Sequence, residues 1–135
     1  MNAGLAVADT DVTSFLFKGD TRGAFYQNAL ASNNAFVSFM TLAELDYWTR
    51  AAKWGPNRIA QLDAFLGQFT VMPPDRDLCR KWAEVTLACR KAGRPIETAD
   101  AWIAATALQL DAPLLTHNRS DFLAVPGFSV ISSAP

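Results

Sequence analysis

The chain reads as an α/β protein: a three-layer α/β/α sandwich around a central, mostly parallel sheet of four to five strands. Three observations point there. Leu5-Ala6-Val7-Ala8 is apolar with no polar alternation, as in a strand covered on both faces. Further short apolar runs follow at 35–38, 69–72, 114–116 and 128–131. All but the last two are separated by stretches of helical periodicity, and strands joined by helical crossovers run parallel. At 135 residues, with neither an internal repeat nor a low-complexity linker, residues 1–135 are expected to form a single domain with one core.

Each element has its own local reason. After the first strand, Asp11–Lys18 reads as a short helix stopped by Gly19-Asp20. Thr21 is a cap candidate for a second helix to about Ala31, with Phe25 and Leu30 facing inward, and Ser32-Asn33-Asn34 breaks it. Ala35–Ser38 is the second strand. Thr41 precedes a helix over Leu42–Lys53 whose apolar face is Leu42, Leu45, Trp48 and Ala52, and Glu44 borders that face. Gly55-Pro56 ends it and opens a helix with Ile59, Leu62, Phe65 and Leu66 as its stripe. Phe69–Met72 is the third strand, closed by Pro73-Pro74. Asp75 caps a long helix to about Ala92, with Leu78, Cys79, Trp82, Val85 and Cys89 inward and Gly93 as its stop. Thr98 is a cap candidate for Ala99–Leu110, where small residues permit close backbone approach. Leu114–Thr116 is the fourth strand. A helical turn follows near Asp121, then the Pro126-Gly127 turn, then a last strand over Phe128–Ile131 and a frayed tail.

Composition excludes several classes. Half the residues are apolar and 11% are aromatic, so the chain is not disordered. No run is long enough for a membrane helix and no leader pattern opens the chain, which points to the cytoplasm. Cys79 and Cys89 fall on one helix, roughly 15 Å apart along its axis at ~1.5 Å per residue, too far for a bridge. With His117 as the one histidine, they cannot make a zinc site. The net charge of −1 does not advertise a nucleic-acid binder. Basic residues do cluster at Arg76, Arg80, Lys81, Arg90, Lys91 and Arg94. They read first as solvated helix faces, with phosphate contact as the lesser alternative.

Chemistry concentrates where strands end. Ligands of open α/β sheets gather beyond the carboxyl ends of the strands, and Asp9-Thr10-Asp11 stands there. The same stretch also reads as a helix start, with Asp11 or Thr13 as the cap and Asp9 in a solvated loop. Alone it resembles the first motif of haloacid-dehalogenase-type phosphatases, where the first aspartate is a nucleophile and the second a general acid. That family also needs an acidic pair after a late strand, and none follows Leu114-Leu115.

Four segments in order resemble something else. They are Asp9 after its strand and Ser38-Phe39-Met40-Thr41-Leu42-Ala43-Glu44-Leu45; Gly93-Arg94-Pro95-Ile96 leading to Asp100 and Ile103-Ala104-Ala105; Leu115-Thr116-His117-Asn118-Arg119-Ser120-Asp121-Phe122; and the Val125-Pro126-Gly127-Phe128 turn. Over nearly the whole chain they resemble PIN-domain proteins, and among these the VapC-type toxins of bacterial toxin–antitoxin pairs. The resemblance implies an acidic site of Asp9, Glu44, Asp100 and Asp121, with Asp11, Thr116 and Asn118 auxiliary. Many members carry an aspartate where this chain has Asn118; others carry Asn there and an acid three residues later, as here with Asp121. The resemblance further implies an endoribonuclease acting on tRNA or ribosomal RNA, a homodimer, and a cognate VapB-type antitoxin that blocks the site.

The residue types agree with that chemistry. Converging carboxylates repel one another unless some hold protons or a divalent cation intervenes. An all-oxygen set suits Mg²⁺ or Mn²⁺ rather than zinc. Such a site can activate water for attack on a phosphodiester without a side-chain nucleophile. Each acid also has a plainer reading: Glu44 as an exposed helix acid, Asp100 as a partner of the helix dipole, Asp121 as a cap of the turn at Phe122. His117 reads as a loop residue rather than a base. Lys18 and Arg119 read equally as surface charges or phosphate contacts. The four tryptophans read as core, or as a dimer or antitoxin surface. A phosphatase acting through Asp9 and a non-catalytic binding module of PIN fold are the competing functions.

Overall fold

In the computed structural model, which describes residues 4–31 and 33–134, β1 (Leu5–Ala8) holds the centre of a five-stranded sheet. β2 (Asn34–Ser38) and β4 (Leu114–Leu115) flank it; β3 (Thr70–Met72) and β5 (Val130–Ile131) are the edges. Every ladder is parallel, as the alternation of strand and helix patterns predicts. Leu5 pairs with Asn34, Val7 with Phe36 and Leu114, and Leu115 with Ile131. The chain builds β1, β2 and β3 outward on one side, then returns to place β4 on the other. That reversal beside β1 is where open sheets form a crevice.

Helices cover both faces, and the strands sort their side chains by the period of two. Val7 and Leu114 face a cluster with Val85 and Cys89 of α5 (Arg76–Lys91) and Ala101, Ile103, Ala104 and Ala107 of α6 (Thr98–Leu110). Ala6, Ala8, Val37 and Leu115 face the opposite way, toward Val12 of α1 (Thr10–Lys18) and Tyr26 of α2 (Ala24–Ala31). A third cluster joins Leu45 of α3 (Phe39–Ala51) to Leu62 and Leu66 of α4 (Pro56–Leu66). α6 is buried along most of its length. A helix apolar on nearly every side belongs in an interior, and its alanines let the sheet and α5 approach closely. Among the described residues, no helix is long and apolar enough to cross a membrane.

Helix starts depart from the sequence reading, and each departure has a local cause. Asp9 itself caps α1, its Oδ1 accepting from the Val12 amide at 2.8 Å, so neither Asp11 nor Thr13 is the cap. Asp20, not Thr21, caps a 3-10 turn over Thr21–Gly23, and α2 begins only at Ala24. Gly23 admits the turn because a Cβ there would stand 3.2 Å from the Phe15 carbonyl carbon. The late start rotates α2 so that Tyr26 is buried, while Phe25 is 46% exposed. Ser38 caps α3 directly at the end of β2, accepting from the Met40 amide at 3.0 Å. Thr41, expected to precede the helix, therefore lies inside it and is buried. Thr49 takes the buried position expected of Trp48, which is 36% exposed. Glu97 precedes α6 without a side-chain cap bond, so Thr98 opens the helix rather than capping it. Cys79 and Cys89 are free thiols on α5.

The tail is not frayed through Ser133. Its amide and hydroxyl meet the Tyr26 hydroxyl at 3.1 and 3.3 Å, and the same oxygen donates to the Thr116 carbonyl at 3.2 Å. Ser32, part of the expected break after α2, lies outside the described residues.

Candidate functional site

The site is assembled from segments that leave the carboxyl ends of the strands. β1 delivers Asp9, Thr10 and Asp11. β2 runs straight into α3, which carries Glu44 in its second turn. β4 is followed by Thr116, Asn118 and, in the 3-10 turn Arg119–Phe122, Asp121. Asp100 stands in the first turn of α6, where a negative charge meets the positive end of the helix. Asp9, Asp11, Glu44, Asp100, Asp121 and Asn118 line one cavity of about 80 Å³, with Ile103 and Phe122 also in its wall. Thr116 is buried behind it.

The sequence reads Asp9 either as a solvated loop residue or as a site residue; in the fold it caps α1 and also lines the cavity. Only 5% exposed, its carboxyl is fixed by the Val12 amide and by a hydrogen bond from the Thr116 hydroxyl while it lines the cavity. Thr116 Oγ1 also accepts from the Asn118 amide at 3.0 Å, so one hydroxyl ties the end of β1 to the loop after β4. Asn118 in turn donates its side-chain amide to Asp11 Oδ2 at 2.5 Å. Asn118 is thus committed to Asp11, whereas Asp121, exposed at the cavity mouth, has no side-chain hydrogen bond among the described residues.

Two positioning residues escape the sequence reading. Thr10 donates to Glu44 Oε1 at 2.7 Å and its oxygen lies 3.0 Å from that of Thr41. The pair fastens α1 to α3 and holds Glu44 in the wall of the cavity. Thr10 lies between two acids, which is a visible signal. Thr41 is disguised by its resemblance to a cap, because its role depends on where α3 begins. His117 does not line the cavity. Its Nδ1 lies 2.9 Å from the Tyr26 hydroxyl and its ring packs edge-on against Phe15. Lys18 and Arg119 do not line it either.

The electrostatics are those of an uncompensated acidic cluster. Burial pushes the Asp9 carboxyl up to about 7, with smaller upward contributions from Asp11 and Asp100, against the lowering hydrogen bonds of Thr116 and Val12. Asp100 is pushed up to about 6, first by burial and then by Asp121, Glu44, Glu97 and Asp11. The ion pairs among the described residues lie elsewhere, at Arg22–Asp20, Arg80–Asp77 and Lys81–Glu84. Among the described residues, no three acids, histidines or cysteines already stand close enough together to hold a metal ion. The donors nevertheless fit a hard divalent cation. They are all oxygen, they share one cavity, and among the described residues no ion pair neutralises them.

Comparison with known proteins agrees with this architecture. The PIN domain family matches residues 6–127. Ribonuclease VapC5 of Mycobacterium tuberculosis is 31% identical over 124 residues, covering 90% of this chain and 87% of that protein. Among solved structures, VapBC-5 from Mycobacterium tuberculosis, a member of the VapBC family of toxin-antitoxin systems, superposes with a TM-score of 0.69 at 26% identity. The match covers 96% of this chain and 98% of that one. VapBC-1 from nontypeable Haemophilus influenzae superposes with a TM-score of 0.81 at 25% identity, covering 95% of this chain and 97% of that one. The match runs from β1 through the turn that precedes β5, and so takes in every strand end that supplies the acidic cavity: the chain belongs to the PIN-domain family.

Proposed function

We propose that this chain is a divalent-metal-dependent endoribonuclease, the toxin of a VapBC-type toxin–antitoxin pair. The observation that carries the reading is the acidic cavity itself: five carboxylates at the switch point of a parallel sheet, two of them held well above the ordinary carboxylate range, in a PIN-domain chain whose relative is a named ribonuclease. Asp9, Glu44, Asp100 and Asp121 would hold Mg²⁺ or Mn²⁺, with Asp11 and Asn118 beside them. When bound, the ion supplies Lewis-acid stabilisation of charge on a phosphodiester and makes water acidic enough to act as the nucleophile near neutral pH.

The chain's own residues do the positioning. Thr10 is the one hydroxyl among the described residues lining the cavity, and its proton is donated to Glu44, so it serves as an orienter rather than a nucleophile. Thr116 and the Val12 amide hold Asp9 in place, and Asn118 holds Asp11. A phosphatase acting through Asp9 loses its support: that residue is buried and tied into a helix cap, and the match over residues 6–127 is to a different family. The proposed partners are a VapB-type antitoxin and a second copy of the chain; Tyr47 and Phe25 are large apolar residues exposed to serve such contacts. The proposed substrate is tRNA or ribosomal RNA.

The test is cleavage of purified tRNA and ribosomal RNA with millimolar Mn²⁺ or Mg²⁺, and with chelator. Cleavage only with metal is expected. No cleavage of either RNA at micromolar protein, with antitoxin binding intact, would instead establish a non-catalytic binding module. A second expectation follows from the orienting hydroxyl. Thr10→Val keeps the side-chain shape and removes the donor to Glu44. Affinity for Mn²⁺, read by isothermal titration, is expected to fall about tenfold, as when an outer partner of a metal ligand is lost. Unchanged affinity would remove Glu44 from the ligand set.

A further inference from the structure

Asp100 and Asp121 of the acidic cavity also line a larger groove of about 540 Å³. The acidic cavity, at about 80 Å³, has room for ions, water and a phosphate group, but not for a nucleoside. The groove lies in the size range of small-ligand sites. Its walls are the α5–α6 connection, Gly93–Glu97, and the segment Ser120–Ala124. Because Asp100 and Asp121 line both spaces, a polymer with one phosphate at the acids must continue through the groove or out into solvent.

Arg94 is the cationic residue among those lining the groove, and its backbone is firmly placed. Gly93 takes the left-handed conformation at φ 74° as α5 ends, and the Arg94 amide donates to the Cys89 carbonyl at 3.0 Å. Pro95 fixes the next backbone angle, and Ile96 packs on the core cluster beneath α6. The Arg94 guanidinium makes no ion pair or hydrogen bond among the described residues, although Glu97, Asp100 and Asp121 share its groove. By contrast, Arg22 and Arg80 are paired to neighbouring aspartates. Apolar surface completes the site: Pro95 and Ile96 on one wall, and Leu123, 56% exposed, on the other.

A planar guanidinium suits a phosphodiester, and flanking apolar side chains suit a base or sugar face. Resting on the ribonuclease reading above, we propose that this groove seats the nucleotide next to the scissile phosphate of single-stranded RNA, with Arg94 holding its phosphodiester. The shared wall with the acidic cavity favours RNA over a protein partner, since the reaction itself delivers the chain to the groove.

The test uses the full chain carrying Asp9→Asn, so that RNA binds without being cut. Fluorescence anisotropy with a labelled single strand of about ten nucleotides, in Mg²⁺, reads the affinity. Adding Arg94→Ala is expected to weaken binding about tenfold and to lower the salt slope by roughly 0.7, the signature of one lost phosphate contact on a single strand. Arg94→Lys is expected to restore part of the affinity as a point charge. Arg76→Ala, an exposed charge on α5 outside the groove, is expected to bind as its parent does. Unchanged affinity and slope in Arg94→Ala overturn the proposal and leave the groove to a protein partner. An equal loss in Arg76→Ala overturns it as well, by showing an unspecific charge effect. The nuclease reading fails on a different result, absence of cleavage by the unsubstituted chain, so the two failures are read separately.

Discussion

Asp9→Asn is expected to abolish RNA cleavage and, in the metal-free protein, to raise the melting temperature. The first effect follows from the loss of a central anionic ligand. The several kcal/mol that a metal site contributes to a transition state correspond to a loss of about a thousandfold or more in kcat. The second follows from burial. The Asp9 carboxyl is pushed up to about 7, so its charged form is disfavoured in the folded chain relative to the unfolded one. A group raised in this way contributes its full stability below the unfolded value, near 3.8, and loses it as pH rises through about 7. At pH 8 the ionised side chain therefore costs up to about 4 kcal/mol, at ~1.4 kcal/mol per unit. Asparagine removes the charge yet keeps an oxygen for the Val12 amide, since it caps helices as well as aspartate does. Recovery of about half that cost would raise the melting temperature by roughly 5 °C at pH 8. At pH 5 the native carboxyl is protonated while the unfolded one is ionised, so the gain should shrink to roughly a third, and it should vanish only below the unfolded value near 3.8. Calorimetry at the two pH values checks this. Cleavage surviving in Asp9→Asn would sink the site assignment, and an equal melting temperature at pH 8 would show that the burial cost is compensated elsewhere.

Divalent metal should stabilise the native chain strongly, and more at pH 8 than at pH 5.5. A ligand at a hundred times its dissociation constant adds about 2.7 kcal/mol to the folded state. For a chain of this length that is roughly 8 °C. The pH dependence arises because Asp9 and Asp100 hold protons up to about 7 and 6, and ligation must displace them. A thermal melt with Mn²⁺, Mg²⁺ and a matched ionic strength of Na⁺ reads the difference. No specific shift at millimolar metal, or a larger shift at the lower pH, would remove the metal site from the acidic cavity.

The sheet and Asp9 are legible in the sequence for one shared reason, whereas Glu44, Asp100 and Asp121 are singled out only by the family resemblance. A strand buried on both faces cannot carry polar residues, so Leu5–Ala8 announces itself and Asp9 announces its end. The parallel order follows from the alternation of strands and helices without any knowledge of contacts. The places that escaped depend on where a helix begins. Ser38 and Thr41 are both good caps, and only the length of β2 decides that the first is used and the second is turned inward toward Thr10. The sequence reading turns Phe25 inward, but Tyr26 is the buried residue. It is preferred because its hydroxyl finds Thr116, His117 and Ser133, partners about a hundred residues away along the chain. Arg94 reads in sequence as one more charge at the end of a basic helix. Its groove exists only because the segment after β4 folds back beside the start of α6.

The central place of β1 also sets a timetable. Its neighbour on one side, β2, follows within thirty residues or so, but β4 arrives only about a hundred residues after β1. Pairings of such long range form late, and a chain emerging from the ribosome at roughly 5–20 residues per second waits for them. Until Leu114–Asp121 has emerged, Asp9 lacks the Thr116 hydroxyl and the acidic cavity lacks a wall. A half-synthesised chain thus lacks the assembled cavity, and on the ribonuclease reading proposed above the machinery making it meets the complete site only once nearly all of the sequence has been translated.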